Sequence, residues 1–579
     1  MSLLPFGRLD SYKPRRFVPM DGRVESWEGV EGLFARLAER LEEVGGADEL
    51  AKWLLDWGEL SAFLDEEGTR RYIAMTCHTD DEEAERAYLA FVEEIEPLIK
   101  PRQFELGKAY LQHAARAGLE SGRYEVFDRD TAVQVRLFRE ENVALETEEA
   151  RLGQQYQKLV GALTVNFDGV ERTLAQMAPV LEETDRGRRE AAWKLVASRR
   201  LEEAGRMDSL FDGLLKVRWQ MAVNSGFENP RDYYFRKMGR FDYTPEDCVK
   251  FHAAVESAVV PVLRRLQAER REAMGLDGLR PWDLAVDPQG REPLKPFHDG
   301  ADLLARTQRV FDRLHGGLAE DFRKLGQHNL LDLENRKGKA PGGYQSTLAE
   351  ARLPFIFMNA VGLQGDVETL LHEAGHAFHA LASAHDDFYA YRTAIPIEFC
   401  EVASMSMELL GNEHLQSFYG EAEIRRARRS HLEGVVEVLG WIATIDAFQH
   451  WIYTHEGHTA EERNRAWVEI LGRFQGDVNW EGHEAARDRL WHKQLHLFLH
   501  PFYYIEYGIA QLGALQVWVR SRENAGKALE DYRRALALGG SRPLPELFAM
   551  AGCRFDLGAS TVRPLLEEVE KELALLSDE

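Results

Sequence analysis

The chain has 579 residues with 72 Lys+Arg, 97 Asp+Glu, 19 His and 4 Cys, giving a formal net charge of −25. A charge of that sign and size argues against nucleic acid or an anionic membrane as the general partner. The apolar fraction of 44% and charged fraction of 29% exclude a disordered chain and predict a folded soluble protein.

The N-terminal segment MSLLPFGRLDSYKPRRF has no apolar core and no small-residue cleavage site, so no secretory signal is expected. The four cysteines, at 77, 248, 400 and 553, are widely spaced. That pattern predicts free thiols and a cytoplasmic location, not a disulfide framework. The longest apolar run, LPFIFMNAVGL at 353–363, is too short to cross a bilayer, which takes about 20 residues.

Helical periodicity dominates, so the fold class is mainly α. Val30, Leu33, Phe34, Leu37, Leu41 and Val44 form one stripe over 30–44. Residues 81–98 carry Ala87, Leu89, Phe91 and Ile95 within an acidic stretch. Val249, Phe251, Val255, Val259 and Leu263 follow Pro245, which marks a helix start, and Leu565, Leu566, Val569 and Leu573 pattern a C-terminal helix. Gly45-Gly46, the polar stretch 182–189 and the Pro/Gly-bearing region 275–300 are candidate linkers. The expected division is an N-terminal helical lobe over 1–185 and a catalytic helical domain over 186–579. One segment breaks the helical pattern. Leu353–Asn359 is aromatic and β-branched and follows Pro341-Gly342-Gly343-Tyr344. It predicts a loop and then a strand whose edge is open to pair with an extended peptide.

The chemistry concentrates in VETLLHEAGHAFHAL at 367–381, where His372-Glu373-Ala374-Gly375-His376 is an HExxH match. Residues four apart share a helix face, so His372 and His376 can hold one zinc ion, with Glu373 displaced around the helix toward an activated water. Ala374, Gly375 and Ala377 are uncharged and small, so this helix can pack closely behind the metal. A third protein ligand is needed; Asp386, Asp387, Glu398, Glu401 and Glu408 follow. Ile395–Leu409 opens with Pro396 and continues as a helix, which can present either Glu401 or Glu398. Glu368, one turn before His372, is placed to accept an imidazole N–H, and His379 is a supporting, cleft-lining or packed core residue.

HEAGHAFH and IPIEFCEVASMSMELL, together with PGGYQ at 341–345, LPFIFMNAVG at 353–362 and HLFLHPFYYIEYGIAQLG at 496–513, resemble the oligoendopeptidase F and thimet oligopeptidase family of zinc peptidases, most closely the bacterial oligoendopeptidase F branch of PZ-peptidase type. The resemblance implies a two-lobed, zincin-like helical fold with a deep central channel and a small β element near the active site. It implies one Zn2+ per chain held by His372, His376 and Glu401, which selects Glu401 over Glu398 and leaves Glu398 in support. It also implies Glu373 as general base, with Glu368 supporting the ligands. His496 with Tyr503, Tyr507 or Tyr504 would stabilise the oxyanion; the His-to-Tyr spacing is longer than in the thimet branch, so the choice of tyrosine stays open. Gly342, Gly343, Tyr344, Phe355 and Phe357 are the expected substrate-binding residues. Short unstructured peptides are the implied substrates, with no nucleic acid and no membrane partner. The competing readings are a carboxypeptidase or dipeptidyl carboxypeptidase, a non-catalytic zinc-bearing peptide-binding protein, and a helical scaffold in which HEAGH is accidental.

Overall fold

The computed structural model describes residues 4–577 apart from positions 8, 25, 79, 80, 337, 338 and 341. Pro341, the first residue of the PGGYQ segment, therefore lies outside the described residues. The fold is mainly α with two small sheets. In chain order, the elements used below are α1 (Trp27–Glu42), α2 (Ala47–Cys77), β1 (Thr164–Phe167), β2 (Val170–Thr173), α3 (Pro245–Ala254), β3 (Leu331–Glu334), β4 (Tyr344–Leu348), β5 (Leu353–Ala360), α4 (Gln364–Ser383), α5 (Ile397–Gly411), α6 (Glu421–Ile452), α7 (Leu495–Leu499) and α8 (Ile505–Glu523).

The helical stripes largely fold as their spacing predicts. Val30, Phe34, Leu37 and Leu41 are the buried residues of α1. Around 82–112 the helix is interrupted by one π-helical turn at Phe91–Ile95; Phe91 and Ile95 are buried, whereas Leu89 faces solvent. A similar π turn, Val255–Val259, follows α3, and Val249 is exposed while Phe251, Val255, Val259 and Leu263 are buried. The extra residue in such a turn rotates the face that follows it, which a fixed 3.6-residue period does not anticipate.

The compact units are each assembled from separate stretches of the chain. One compact unit comprises Met1–Arg136, Lys295–Ala427 and Gly513–Phe555; the other comprises Leu137–Leu294, Arg428–Leu512 and Asp556–Glu579. Asp185 is the N-cap of helix Arg186–Glu202, its carboxylate accepting from Gly187 and Arg188 N–H, so the polar stretch there starts a helix. The Pro/Gly-bearing region does contain a change of unit, at Leu294/Lys295. In the first unit the N-terminal helices are tied to the segment around β4 and β5. Glu66 on α2 accepts the backbone N–H groups of Glu350 and Ala351 at 2.7 and 2.9 Å. Arg15 makes a two-pronged bond to Glu350, and Arg123 does the same to Asp386. An aromatic core including Trp53, Trp57, Phe63, Tyr110 and Phe388 lies beneath.

The three-stranded sheet of this unit runs β3-β5-β4, with β5 parallel to β3 and antiparallel to β4. β5 is therefore the central strand, and the expectation that its edge is open is corrected: both of its edges are already paired. Its unbroken apolar sequence reflects burial on both faces, and Phe355 and Phe357 are fully buried, so neither is a substrate-binding residue. Lys339 reaches in behind β5, donating to the carbonyls of Asp332, Glu334 and Met358 and to Asp332 Oδ1 at 2.6–3.1 Å. In the second unit, β1 and β2 form a hairpin around Asp168-Gly169, both with positive φ (55° and 76°). That is the Asp-Gly turn which matches strand twist.

Candidate metal centre and catalytic residues

Helices α4 and α5 meet at Gly375, where α4 has no room for a side chain against the α5 backbone. A Cβ built on Gly375 would stand 2.5 Å from Ser404 Cα and 2.6 Å from the Ala403 carbonyl oxygen. The approach brings Glu401 against the two histidines. His372 Nε2 and His376 Nε2 are 3.2 Å apart, and Glu401 Oε2 is 3.4 Å from the first and 3.7 Å from the second. Ligands bonded at about 2.0–2.1 Å to one tetrahedral ion lie roughly 3.3 Å from each other. The nitrogen, nitrogen and oxygen donors of His372, His376 and Glu401 thus fit a zinc ion.

The supporting contacts fix how each donor is presented. His372 Nδ1 donates to Glu408 Oε1 at 2.7 Å, which leaves its Nε2 lone pair directed at the donor triangle. Glu368, expected in that role, accepts instead from Gln364 Nε2 at 3.0 Å. Glu408 lies two helical turns beyond Glu401 on α5 and reaches the histidine from the neighbouring helix. His376 hydrogen-bonds the Cys400 backbone. The Ser404 hydroxyl is 3.0 Å from Glu401 Oε2, orienting the carboxylate. Tyr532 holds the backbone here by donating to the Ala403 carbonyl at 2.9 Å. Glu398 is buried at the start of α5 but is outside the group of donors. His379 is a packed core histidine: it lies edge-on to Phe399 with neither ring nitrogen hydrogen-bonded, and burial, then His376, push its pKa down to about 3.

Glu373 is 7% exposed. Its carboxylate receives the backbone N–H of Gln345 on β4, while Oε2 has no partner. Burial is the largest influence on its pKa, raising it to about 7; His372 opposes this, and Glu401 and Glu408 reinforce it. Burial likewise opposes ionisation of Glu401, but His376, His372 and Ser404 outweigh it and hold its pKa near 2. Two adjacent carboxylates are therefore driven in opposite directions, one toward anionic ligation and one toward proton exchange near neutrality.

β4 is the end strand of the sheet and the strand that meets Glu373. Tyr344 stacks on Phe357 at 4.8 Å, and its hydroxyl is 2.7 Å from Thr76 Oγ1. Gly342 adopts φ 97°, and its carbonyl accepts from Asn359 Nδ2 at 2.9 Å.

The second group of candidates also assembles, in the second unit. His496 on α7 has ring-centroid distances of 5.5, 5.0 and 5.9 Å to Tyr503, Tyr504 and Tyr507. Gln494 Nε2 is 2.8 Å from His496 Nδ1, and Gln494 Oε1 accepts from Trp441 Nε1. Tyr504 hydrogen-bonds Trp441 and Gln494, and burial pushes its pKa up to about 12. The turn that orients these rings is held at Phe502, whose φ of 64° is in the left-handed region. Such backbone is sustained by its surroundings: Phe502 N–H donates to Gln449 Oε1 at 2.6 Å, and its carbonyl accepts from Arg240.

Residues 180–563 match peptidase family M3, and residues 17–138 match the peptidase M3 N-terminal domain. The chain belongs to peptidase family M3. Its fold is similar to that of PZ peptidase A, solved with an inhibitor, at a TM-score of 0.89 and 30% identity over 97% of this chain and 99% of that one. Among curated relatives, it is 25% identical to the oligopeptidase PepF of Bacillus subtilis over 51% of this chain and 43% of that protein. It is 23% identical to the group B oligopeptidase PepB of Streptococcus agalactiae over 54% and 51% respectively. The chain spans about half the length of these curated relatives. No described helix of this M3 chain is long and apolar enough to cross a membrane. All four cysteines are free thiols.

Proposed function

We propose that this M3 chain is a zinc-dependent oligoendopeptidase that hydrolyses internal bonds of short unstructured peptides in the cytoplasm. One observation carries the reading: a zinc-sized donor triangle of His372, His376 and Glu401 adjoins the buried, half-partnered carboxylate of Glu373. His372, His376 and Glu401 would hold the zinc, which when bound would supply Lewis acidity toward the scissile carbonyl and water.

The protein residues do the rest. Glu373, steadied by the Gln345 N–H, takes the proton of the attacking water on its free oxygen and returns it to the leaving amine. Glu408 and Ser404 keep His372 and Glu401 in their ligating orientations. The substrate backbone pairs with β4, the end strand, so Gly342, Gly343 and Tyr344 line its path; strand addition suits extended peptides and rejects folded ones. His496, with Tyr503 or Tyr507, is our candidate for the oxyanion's hydrogen-bond donors, Tyr504 being already engaged by Trp441 and Gln494. A reducing compartment is consistent with the free thiols.

The test is cleavage-site mapping by mass spectrometry on a peptide blocked at both ends and on its unblocked counterpart, with and without a chelator. Internal cuts abolished by the chelator are expected. Cutting confined to unblocked ends would make the protein a carboxypeptidase or dipeptidyl carboxypeptidase, and zinc content without any cutting would make it a peptide-binding protein.

A further inference from the structure

Two helices of the second unit each carry a pair of metal-binding side chains one turn apart. Cys248 and His252 lie on α3, and Asp446 and His450 on α6. A spacing of four places each pair on one helix face. The donor atoms of Cys248, Asp446 and His450 lie within 4.8 Å of one another. Cys248 and Asp446 are 0% exposed and His450 is 9% exposed.

The hydrogen bonding inside this cluster is incomplete. His252 Nε2 donates to Asp446 Oδ2 at 2.7 Å. His450 Nε2 approaches the same oxygen at 3.4 Å without forming a hydrogen bond. Among the described residues, buried Asp446 Oδ1 and His450 Nε2 have no hydrogen-bond partner. Leaving a buried polar atom unpaired costs about 1–3 kcal/mol, and a cation between them satisfies both.

We propose that Cys248, Asp446 and His450 form a second, buried site for a divalent transition metal, zinc by its donor chemistry, with His252 fixing the Asp446 carboxylate. One sulfur, one nitrogen and one oxygen donor suit zinc, and a thiolate disfavours magnesium or calcium. The charges close as well: a thiolate, a carboxylate, a neutral imidazole and a 2+ ion sum to zero, which a dry interior tolerates. Asp446 is held anionic against burial by His450 and His252. The Cys248 thiol is pushed well up by burial and then by Asp446, so without a cation it keeps its proton. Metal entry forms the sulfur–metal bond and releases that proton to solvent. Arg240, the cation that acts on Cys248, is itself paired with Glu506 at 3.0 Å. The ion would bolt α3 to α6, independently of the HExxH centre.

Cobalt titration of the metal-stripped full chain tests this. Two equivalents are expected to bind, one of them producing a sulfur-to-cobalt charge-transfer band. Glu401→Ala should lose one equivalent and keep the band; Cys248→Ser should lose one equivalent and the band. If Cys248→Ser does not fold, His450→Gln serves in its place, losing the same equivalent, and the wild-type titration decides alone. One equivalent without a sulfur band in the wild type, or an undiminished band in Cys248→Ser, would overturn the proposal.

Discussion

Gly375 and Ser404 are in backbone contact, with no space between α4 and α5 for even a methyl group. The zinc-sized triangle depends on that approach, because its histidines are on one helix and its carboxylate is on the other. Gly375→Ala should destabilise the protein by about 1–3 kcal/mol, the range for overpacking, and weaken zinc binding together with it. Gly365→Ala on the same helix, where an added Cβ meets nothing within 4 Å, should leave stability within about 0.5 kcal/mol. Thermal unfolding and zinc analysis of the two variants check the pair.

Glu408, not Glu368, holds the outer nitrogen of His372. Glu408→Gln is expected to weaken zinc binding by about 10- to 100-fold, as loss of a carboxylate behind a ligating histidine does. Glu368→Gln should leave affinity nearly unchanged. Competition with a chromophoric chelator measures both.

Glu373→Gln keeps the volume and removes the base. Zinc content should remain at the wild-type level while kcat falls about 100- to 10,000-fold. A variant that turns over a quenched peptide at near wild-type rate would remove Glu373 from the mechanism.

Tyr504 is bound to Trp441 and Gln494, so its hydroxyl already has structural partners. Tyr504→Phe should lower the melting temperature more than it lowers kcat. His496→Ala should lower kcat by about 100- to 1,000-fold, the usual loss for an oxyanion donor. Steady-state kinetics and calorimetry on the same preparations separate the two effects.

Burial opposes ionisation of Asp332, but Arg336 and Lys339 overcome it and hold the carboxyl near pKa 2. The folded value is below the unfolded one, so this group stabilises the fold above about pH 4, and that contribution is lost as pH falls from 4 toward 2. It amounts to about 2 kcal/mol. Asp332→Asn should flatten acid unfolding across that window in urea titrations. Lys339→Met, which leaves Asp332 without its buried cation, should cost about 3–5 kcal/mol.

What could be read from residue order alone was whatever one helix carries by itself. The HExxH spacing, the small residues behind it and the buried stripes of α1 and the C-terminal helix all follow from a 3.6-residue period. The family likeness added Glu401 and the His496 aromatic group, whose members do cluster. Facts set by another element were not legible. Strand order made β5 central, although its own residues look the same at an edge. Glu408 reaches His372 across a helix interface, and nothing in the spacing within α4 favours it over Glu368. The Cys248/His252 and Asp446/His450 pairs are visible as separate i,i+4 patterns, yet their meeting depends on how two helices pack.

The division of the chain also bears on how it comes off the ribosome. The unit that holds His372, His376 and Glu401 draws on residues from the N-terminal 136 and from Gly513–Phe555. Trp53 and Phe63 sit in a core drawn mostly from residues 17–126 and completed by Phe388 and Tyr391, so the early helices can cluster first but finish packing only when the segment near 390 joins them. Folding governed by such late, distant partners is slow and prone to aggregation.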